Sequence, residues 1–209
     1  MAPKNALGLP PIPNYAGHNM KFKFHYGFTL IELLVTLAVA GALLLVAVPG
    51  FQAFQRNSQL TSLINSLLVA INTTKAEAMK QNANAFVVPS DGTNWASGWT
   101  VFVDKDRSGN YSESGDITVM VQEAPASYFS ISGNGTSGDT TPYIKFDSSG
   151  FSRTTSGSYP ANLTLTIARN DLTGTKQTEE TRRIIISKSG RARSCSPSKD
   201  SSCTTTASE

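Results

Sequence analysis

Three patterns of hydrophobic and polar residues follow one another along this chain. From Phe28 to Gly50 the sequence FTLIELLVTLAVAGALLLVAVPG is almost continuously apolar. A helix of that length reaches the roughly 20 apolar residues needed to cross a bilayer. Beyond it, Leu60, Leu63, Ile64, Leu67, Leu68 and Ile71 recur at helical spacing, with Gln59, Ser62, Asn65 and Ser66 between them. That pattern predicts an amphipathic continuation of the same helix, ending near Asn82 to Asn84. Unbroken, the helix is about 80 Å long at about 1.5 Å per residue. The third pattern is a series of short strand-like runs between Gly, Ser, Asn and Asp. They are Phe86 to Pro89, Trp99 to Asp104, Ile117 to Glu123, Tyr128 to Ser132, Tyr143 to Phe146, Leu163 to Ala168 and Arg182 to Ser187. Such runs predict an antiparallel sheet or pair of sheets packed on the helix, an α+β architecture. The Ser- and Gly-rich stretches from Ser132 to Thr141 and from Ser148 to Ser158 read as mobile loops.

Composition narrows the function. The 209 residues are 39% hydrophobic, enough for one folded core with attachments. A net charge of only +3 excludes a polycation, so attraction for nucleic acid has to come from a local cluster. Both histidines, His18 and His25, precede the apolar run. If the leader is removed, no histidine remains for a His-based triad, and a metal site has to be built from oxygen ligands. No catalytic residue, cofactor or metal centre is expected.

The apolar run carries an anomaly. A carboxylate inside a spanning helix costs about 2.5–3.5 kcal/mol on insertion scales, yet Glu32 has no Lys or Arg within the run. Cutting after Gly27 creates a free amine on Phe28, four residues before Glu32, able to serve this glutamate or a neighbour's. Lys21 and Lys23 precede the run and predict that the bulk of the chain is exported. An ordinary cleaved signal is the alternative, with Ala38-Val39-Ala40 as its site. The apolar run nevertheless continues through Leu43-Leu44-Leu45, where such a signal has already ended.

Gly27-Phe28-Thr29-Leu30-Ile31-Glu32 before an apolar helix resembles the class III signal of type IV pilins and type II secretion pseudopilins. The resemblance implies cleavage after Gly27 by a prepilin peptidase, N-methylation of Phe28, and a role for Glu32 in docking onto a growing filament. Pro49 matches the family's helix-kinking proline. The expected organisation is a leader over 1–27, a membrane or filament-core helix over 28–50, its amphipathic continuation over 51–84, and a β-rich head over 85–209. The leader is longer than usual, and Met20 is a candidate true start. A pilin-like fold follows from the resemblance.

Trp95-Ala96-Ser97-Gly98-Trp99-Thr100-Val101-Phe102-Val103-Asp104, followed by Asp106, Gly109 and Asn110, resembles the GWxVFxD…G hairpin of the FimT/GspH group of minor pilins and pseudopilins. Phe146-Asp147-Ser148-Ser149-Gly150 fits the same group. Asp104, Asp106, Ser108, Gly109 and Asn110 also begin like a helix-loop-helix calcium loop. Position twelve of such a loop is Gly115, where a bidentate glutamate is required, so a hairpin turn is the better account. Trp95 and Trp99 are expected to be buried against the sheet rather than stacked on bases.

The last feature is KSGRARSC, Lys188 to Cys195. Seven basic residues, Lys176, Arg182, Arg183, Lys188, Arg191, Arg193 and Lys199, face only Glu179 and Glu180 over residues 176–199. Gly190 permits a turn. Arg191 and Arg193, two apart, point the same way if extended. In an exported chain Cys195 and Cys203 are expected to form a disulfide. Composition alone reads this segment as a solvated basic tail. Gly190-Arg191-Ala192-Arg193, with Lys188 before it, resembles the GRxR motif of FimT-type minor pilins of naturally transformable bacteria, where it is associated with DNA binding. The resemblance implies sequence-independent contact with DNA phosphates through Lys188, Gly190, Arg191, Arg193, Arg182 and Arg183. It also implies an inner-membrane protein of a Gram-negative bacterium with a periplasmic head, which joins other pilin subunits in a pilus and supports DNA uptake. The alternative is a structural minor pilin or secretion pseudopilin that primes assembly or caps the filament tip.

Overall fold

The computed structural model of the chain describes residues 27–160 and 163–206, with the side chains of Val46 and Pro49 excepted. The expected leader up to residue 26, with Met20, Lys21, Lys23 and both histidines, lies outside the described residues, and so does the kink attributed to Pro49's ring. The chain divides into two compact units, residues 1–48 and 49–209.

Helix α1 runs from Leu30 to Gln81. In the first unit, Thr29 caps it: the Thr29 hydroxyl accepts from the Glu32 N–H at 3.2 Å, and the Thr29 carbonyl accepts from Leu33 N–H at 3.1 Å. Thr29 and Glu32 thus occupy the N-cap and third helical positions, the Ser/Thr-x-x-Glu spacing of a helix start. The carboxylate also sits where the helix dipole favours negative charge. The apolar side chains of this unit are exposed along the single chain, Leu30 and Leu45 among them. Among the described residues no single helix is long and apolar enough to cross a membrane. Leu30–Leu45 and Gly50–Gln81 meet that test only as two segments taken together.

In the second unit the rear of α1 buries Leu60, Leu63, Ile64, Leu67, Ala70, Ile71 and Ala78 in one cluster. These are the positions the helical period selects, and each large apolar side chain buried contributes about 1.5–3 kcal/mol. The helix ends where Asn82 takes a left-handed φ of 49°. Ala83 N–H bonds back to Ala78 O at 3.1 Å and Asn82 N–H to Met79 O at 3.4 Å, a Schellman stop.

Two four-stranded antiparallel sheets follow. The first has the order β3-β2-β1-β5, from β1 (Asn84–Pro89), β2 (Trp99–Asp104), β3 (Ile117–Gln122) and β5 (Ile144–Phe146). The second has the order β4-β6-β7-β8, from β4 (Phe129–Asn134), β6 (Leu163–Arg169), β7 (Arg182–Ile186) and β8 (Ala192–Cys195). Side-chain alternation turns Val87, Val101, Val103 and Ile144 of the first sheet toward the helix cluster, with Leu165, Ile167, Ile184 and Ile186 of the second. Trp95 and Trp99 are buried in the same cluster, as expected.

Both outer faces are covered. On the first sheet Phe86 and Phe102 stack at 5.2 Å, and Tyr111 from the β2–β3 connection lies 5.2 Å from the Phe102 ring. On the second sheet Thr164 and Ile185 pair across β6 and β7 and are fully buried. The C-terminal segment passes over them, because Arg183 donates to Cys203 O and Asn134 Nδ2 donates to Thr205 O.

Several expectations change. Seven strand-like runs become eight strands, because the arginine segment itself forms β8. A short helix α2 (Gly174–Glu180) stands where no element was expected. Ser132 to Thr141 is no loose loop: β4 extends to Asn134, Gly135–Gly138 is a one-turn helix, and the buried Ser137 carbonyl accepts from Trp95 Nε1 at 2.8 Å. Ser148 to Ser158 is tied down as well. Asp147 Oδ1 accepts from Ser149 and Phe151 N–H, Asp147 Oδ2 pairs with Arg153 Nε at 2.6 Å, and Arg153 lies 4.0 Å over the Tyr159 ring. Glycine and serine content marked these segments as turns but could not show their partners.

Candidate nucleic-acid interface

The arginine segment is a hairpin. Gly190 N–H bonds to Ser187 O at 2.9 Å, closing a turn over Lys188 and Ser189, and Ser187 N–H then bonds to Arg191 O at 2.9 Å. Gly190 has φ 76°, the left-handed position that follows such a turn in a bulged hairpin. A side chain there would also collide, since a Cβ would lie 2.2 Å from Gly150 O and 3.0 Å from the Phe146 ring. The requirement for glycine is therefore double.

Other parts of the chain hold the turn from beneath. Buried Ser152 donates its N–H to Lys188 O at 3.1 Å and its hydroxyl to Ser187 O at 3.0 Å. Lys75 of α1 donates to Ser189 O at 3.1 Å. The Ser187 hydroxyl accepts from Arg191 N–H at 3.1 Å. Phe146 and Gly150 thus form the floor under the glycine of the turn.

From this base β8 runs along the edge of the second sheet, with Ile186 opposite Ala192, Ile185 opposite Arg193 and Arg183 opposite Cys195. Ala192 packs against the core, while Arg193 is on the outer face. The two-residue period puts Arg191 on that outer face too. Lys188 and Arg191 are exposed, and Arg193 is half-buried with 25% of its side chain accessible.

Arg182 and Arg183, neighbours of the pair in the sequence, are engaged elsewhere. Arg182 Nη1 donates to Glu179 O at 2.6 Å, Thr181 O at 2.9 Å and Ser196 Oγ at 3.3 Å. Arg183 Nη1 donates to Cys203 O and its Nε to Thr166 Oγ1 at 3.4 Å. Burial pushes the Arg183 guanidinium below its ordinary pKa. Both arginines anchor the C-terminal segment.

The bridge expected between Cys195 and Cys203 is present, with Cα atoms 5.9 Å apart. It encloses a residue that the charge count over 176–199 did not reach. Asp200, between the two cysteines, lies 3.5 Å from Arg193. The hydroxyl and N–H of Ser202, with Arg193 as a smaller contribution, hold the Asp200 carboxyl below the ordinary range. Carrying the count to the second cysteine exposes this counter-charge. The supports from Ser152 and Lys75 have no comparable sequence signal, being 35 and 114 residues from their partners.

At the N-terminal site Gly27 and Phe28 precede the helix, and Phe28 is exposed. Glu32 lies in the first turn.

Residues 63–190, more than half of the chain, match the family described as Type II transport protein GspH. Residues 23–48 match the prokaryotic N-terminal methylation motif. The type IV narrow pilus major component PilA5 of Thermus thermophilus is 35% identical over 79 residues, covering 35% of this chain and 68% of that protein. Among solved structures, the type IV minor pilin FimU of Pseudomonas aeruginosa superimposes with a TM-score of 0.48 at 17% identity, covering 67% of this chain and 90% of that one. The minor pseudopilin EpsH from the type 2 secretion system of Vibrio cholerae gives 0.46 at 14% identity, over 66% and 98%. The motif at the helix start and the match over residues 63–190 agree, and the chain belongs to the GspH family of pilin-like proteins.

Proposed function

We propose that this minor pilin binds DNA, without regard to sequence, through the β7–β8 hairpin and supports DNA uptake in natural transformation. Prepilin peptidase cuts after Gly27, and the helix then holds the protein in the inner membrane with its head in the periplasm. There it joins other pilin subunits through Phe28, Glu32 and the apolar helix. The observation that supports DNA binding is the exposure of Lys188 and Arg191 on a turn fixed by Gly190, Ser187 and Ser152. Fixed cations lose less freedom on binding than a free tail does. Arginine suits the task because its planar fork meets phosphate oxygens in pairs and remains charged at physiological pH. Arg193 joins them, and Arg182 and Arg183 act by holding the disulfide-closed segment in place. No helix enters a major groove in this reading, so the contact is with the phosphate backbone.

The Arg193–Asp200 pair favours a second reading, a structural subunit that primes or caps a filament, because it neutralises part of the patch. Binding of the full-length protein in nonionic micelles to unrelated duplexes separates the two. Neutralising three phosphates gives a slope of about −3 for log affinity against log salt, or about 40-fold weaker binding from about 50 to about 200 mM. The Arg191→Ala/Arg193→Ala protein is expected to lose binding while keeping its unfolding midpoint. Equal binding by parent and variant overturns the proposal and leaves the structural role.

A further inference from the structure

We propose that the β2–β3 connection is a calcium site formed by Asp104, Asp106 and Asp116. One carboxylate oxygen from each of the three residues lies within 4.8 Å of the others. Oxygens bound to one calcium at about 2.3–2.6 Å can be no farther apart than about twice that distance. The three carboxylates therefore converge closely enough to share an ion.

Acidic clusters on surface turns are common, but Asp104 is not on the surface. It ends the central strand β2 with only 3% of its area exposed, and its Oδ1 is buried without a hydrogen-bond partner. A buried acceptor left unsatisfied costs about 1–3 kcal/mol, and more when it is charged. Burial pushes this carboxyl above its ordinary range, the nearby Asp116 and Asp106 add to the push, and the Gly109 N–H opposes it. Lys145, on the same outer face of the sheet, is near enough for its charge and that of Asp104 to attract each other. Its Nζ lies 5.5 Å over the Phe86 ring, and among the described residues no ion pair joins it to Asp104. A divalent cation relieves both the orphaned oxygen and the repulsion among three carboxylates.

The other two carboxylates are oriented by backbone N–H groups, as metal ligands commonly are. Asp106 Oδ1 accepts from Ser108 N–H at 2.9 Å, Asp116 Oδ1 from Lys105 N–H at 3.0 Å, and Asp116 Oδ2 from Ser112 N–H at 2.9 Å. Gly115 makes room, since a Cβ there would lie 2.5 Å from Asp106 Oδ2. Counting a helix-loop-helix calcium loop along the sequence put Gly115 at its twelfth position and argued against a metal. The flanks are strands, and the hairpin brings in Asp116, one residue later, as the closing carboxylate.

Donor chemistry selects the ion. With oxygen ligands and no Cys or His, the set suits a hard cation rather than zinc or copper. A hydroxyl-, amide- and carbonyl-rich loop (Ser108, Asn110, Ser112) suits the higher, irregular coordination of calcium over the strict octahedron of magnesium. Binding pins the connection that carries Tyr111 over Phe102, so calcium is expected to stabilise the cover of the first sheet. Affinity is expected in the range of extracellular modules, a Kd of about 0.1–1 mM.

The test uses the full-length protein in nonionic micelles, stripped with EDTA and titrated with calcium chloride. Calcium at about thirty times Kd is expected to raise the unfolding midpoint by about 4–8 °C. Asp104→Asn and Asp106→Asn are expected to abolish the rise, and Asp104→Asn without calcium unfolds at or above the parent's midpoint. Terbium luminescence sensitised by Tyr111 and displaced by calcium gives a readout independent of stability, and is expected to disappear in Asp106→Asn. A midpoint and terbium signal both unresponsive to about 10 mM calcium, or Asn variants that respond like the parent, overturn the site. An equal response to magnesium overturns its assignment to calcium.

Discussion

Replacing Gly190 with alanine tests whether the arginine hairpin is a fixed platform. At φ 76° an L-residue costs about 1–2 kcal/mol. The new methyl would also lie 2.2 Å from Gly150 O and 3.0 Å from the Phe146 ring, so the turn has to lift by roughly an ångström. Lifting stretches the bonds from Ser152 to Lys188 O and Ser187 O, each contributing about 0.5–1.5 kcal/mol net. Together these give a loss of about 2–4 kcal/mol, or a midpoint lower by about 5–15 °C. Gly157→Ala is the control: it shares a positive φ of 87° but meets nothing within 4 Å, so it carries only the backbone cost. Thermal unfolding of both variants beside the parent makes the comparison. A Gly190→Ala protein no less stable than Gly157→Ala refutes the packed turn and the preorganisation drawn from it.

Other consequences are equally direct. Replacing Cys195 and Cys203 by serine releases the segment over Thr164 and Ile185; loop closure over a separation of 8 residues predicts a loss of about 2.5 kcal/mol, and an unchanged midpoint contradicts it. Asp171, held by Arg169 and Arg56, has its pKa lowered to about 2, so its contribution is complete above the unfolded value of about 4 and disappears as pH falls toward 2. After allowance for solvent at Arg56, with its side chain 40% exposed, this amounts to about 1 kcal/mol, and Asp171→Asn is expected to flatten the stability profile over that pH interval. Asp200→Asn keeps an acceptor for the Ser202 turn but removes the charge opposite Arg193, so duplex affinity is expected to rise about two- to fourfold.

Much of this architecture is legible in the chain because it depends on local period and punctuation. The stripe from Leu60 to Ile71 faces the core as its spacing predicts, and all seven strand-like runs correspond to strands. The helix stops where Asn82 can take a left-handed φ. What is not legible in the sequence depends on contacts between distant residues. An alternating, half-exposed Ala-Arg-Ser-Cys reads as a tail until Ile184 and Ile186 offer it a sheet edge. The split into two sheets, the coverage of both outer faces and the floor that Ser152 builds under Lys188 are likewise set by pairing across the fold. The basic cluster was visible as composition, whereas its division into exposed Lys188 and Arg191 and anchoring Arg182 and Arg183 required coordinates. Asp104 shows the same limit: its place among polar residues suggested a surface turn, and the strand buries it.

Duplex binding by the full-length protein as a function of salt, with and without Arg191→Ala/Arg193→Ala, tests the central claim most directly. The account predicts a log–log slope near −3 for the parent and no measurable binding for a variant with the parent's unfolding midpoint. A variant that binds as tightly as the parent, with the same slope, contradicts it.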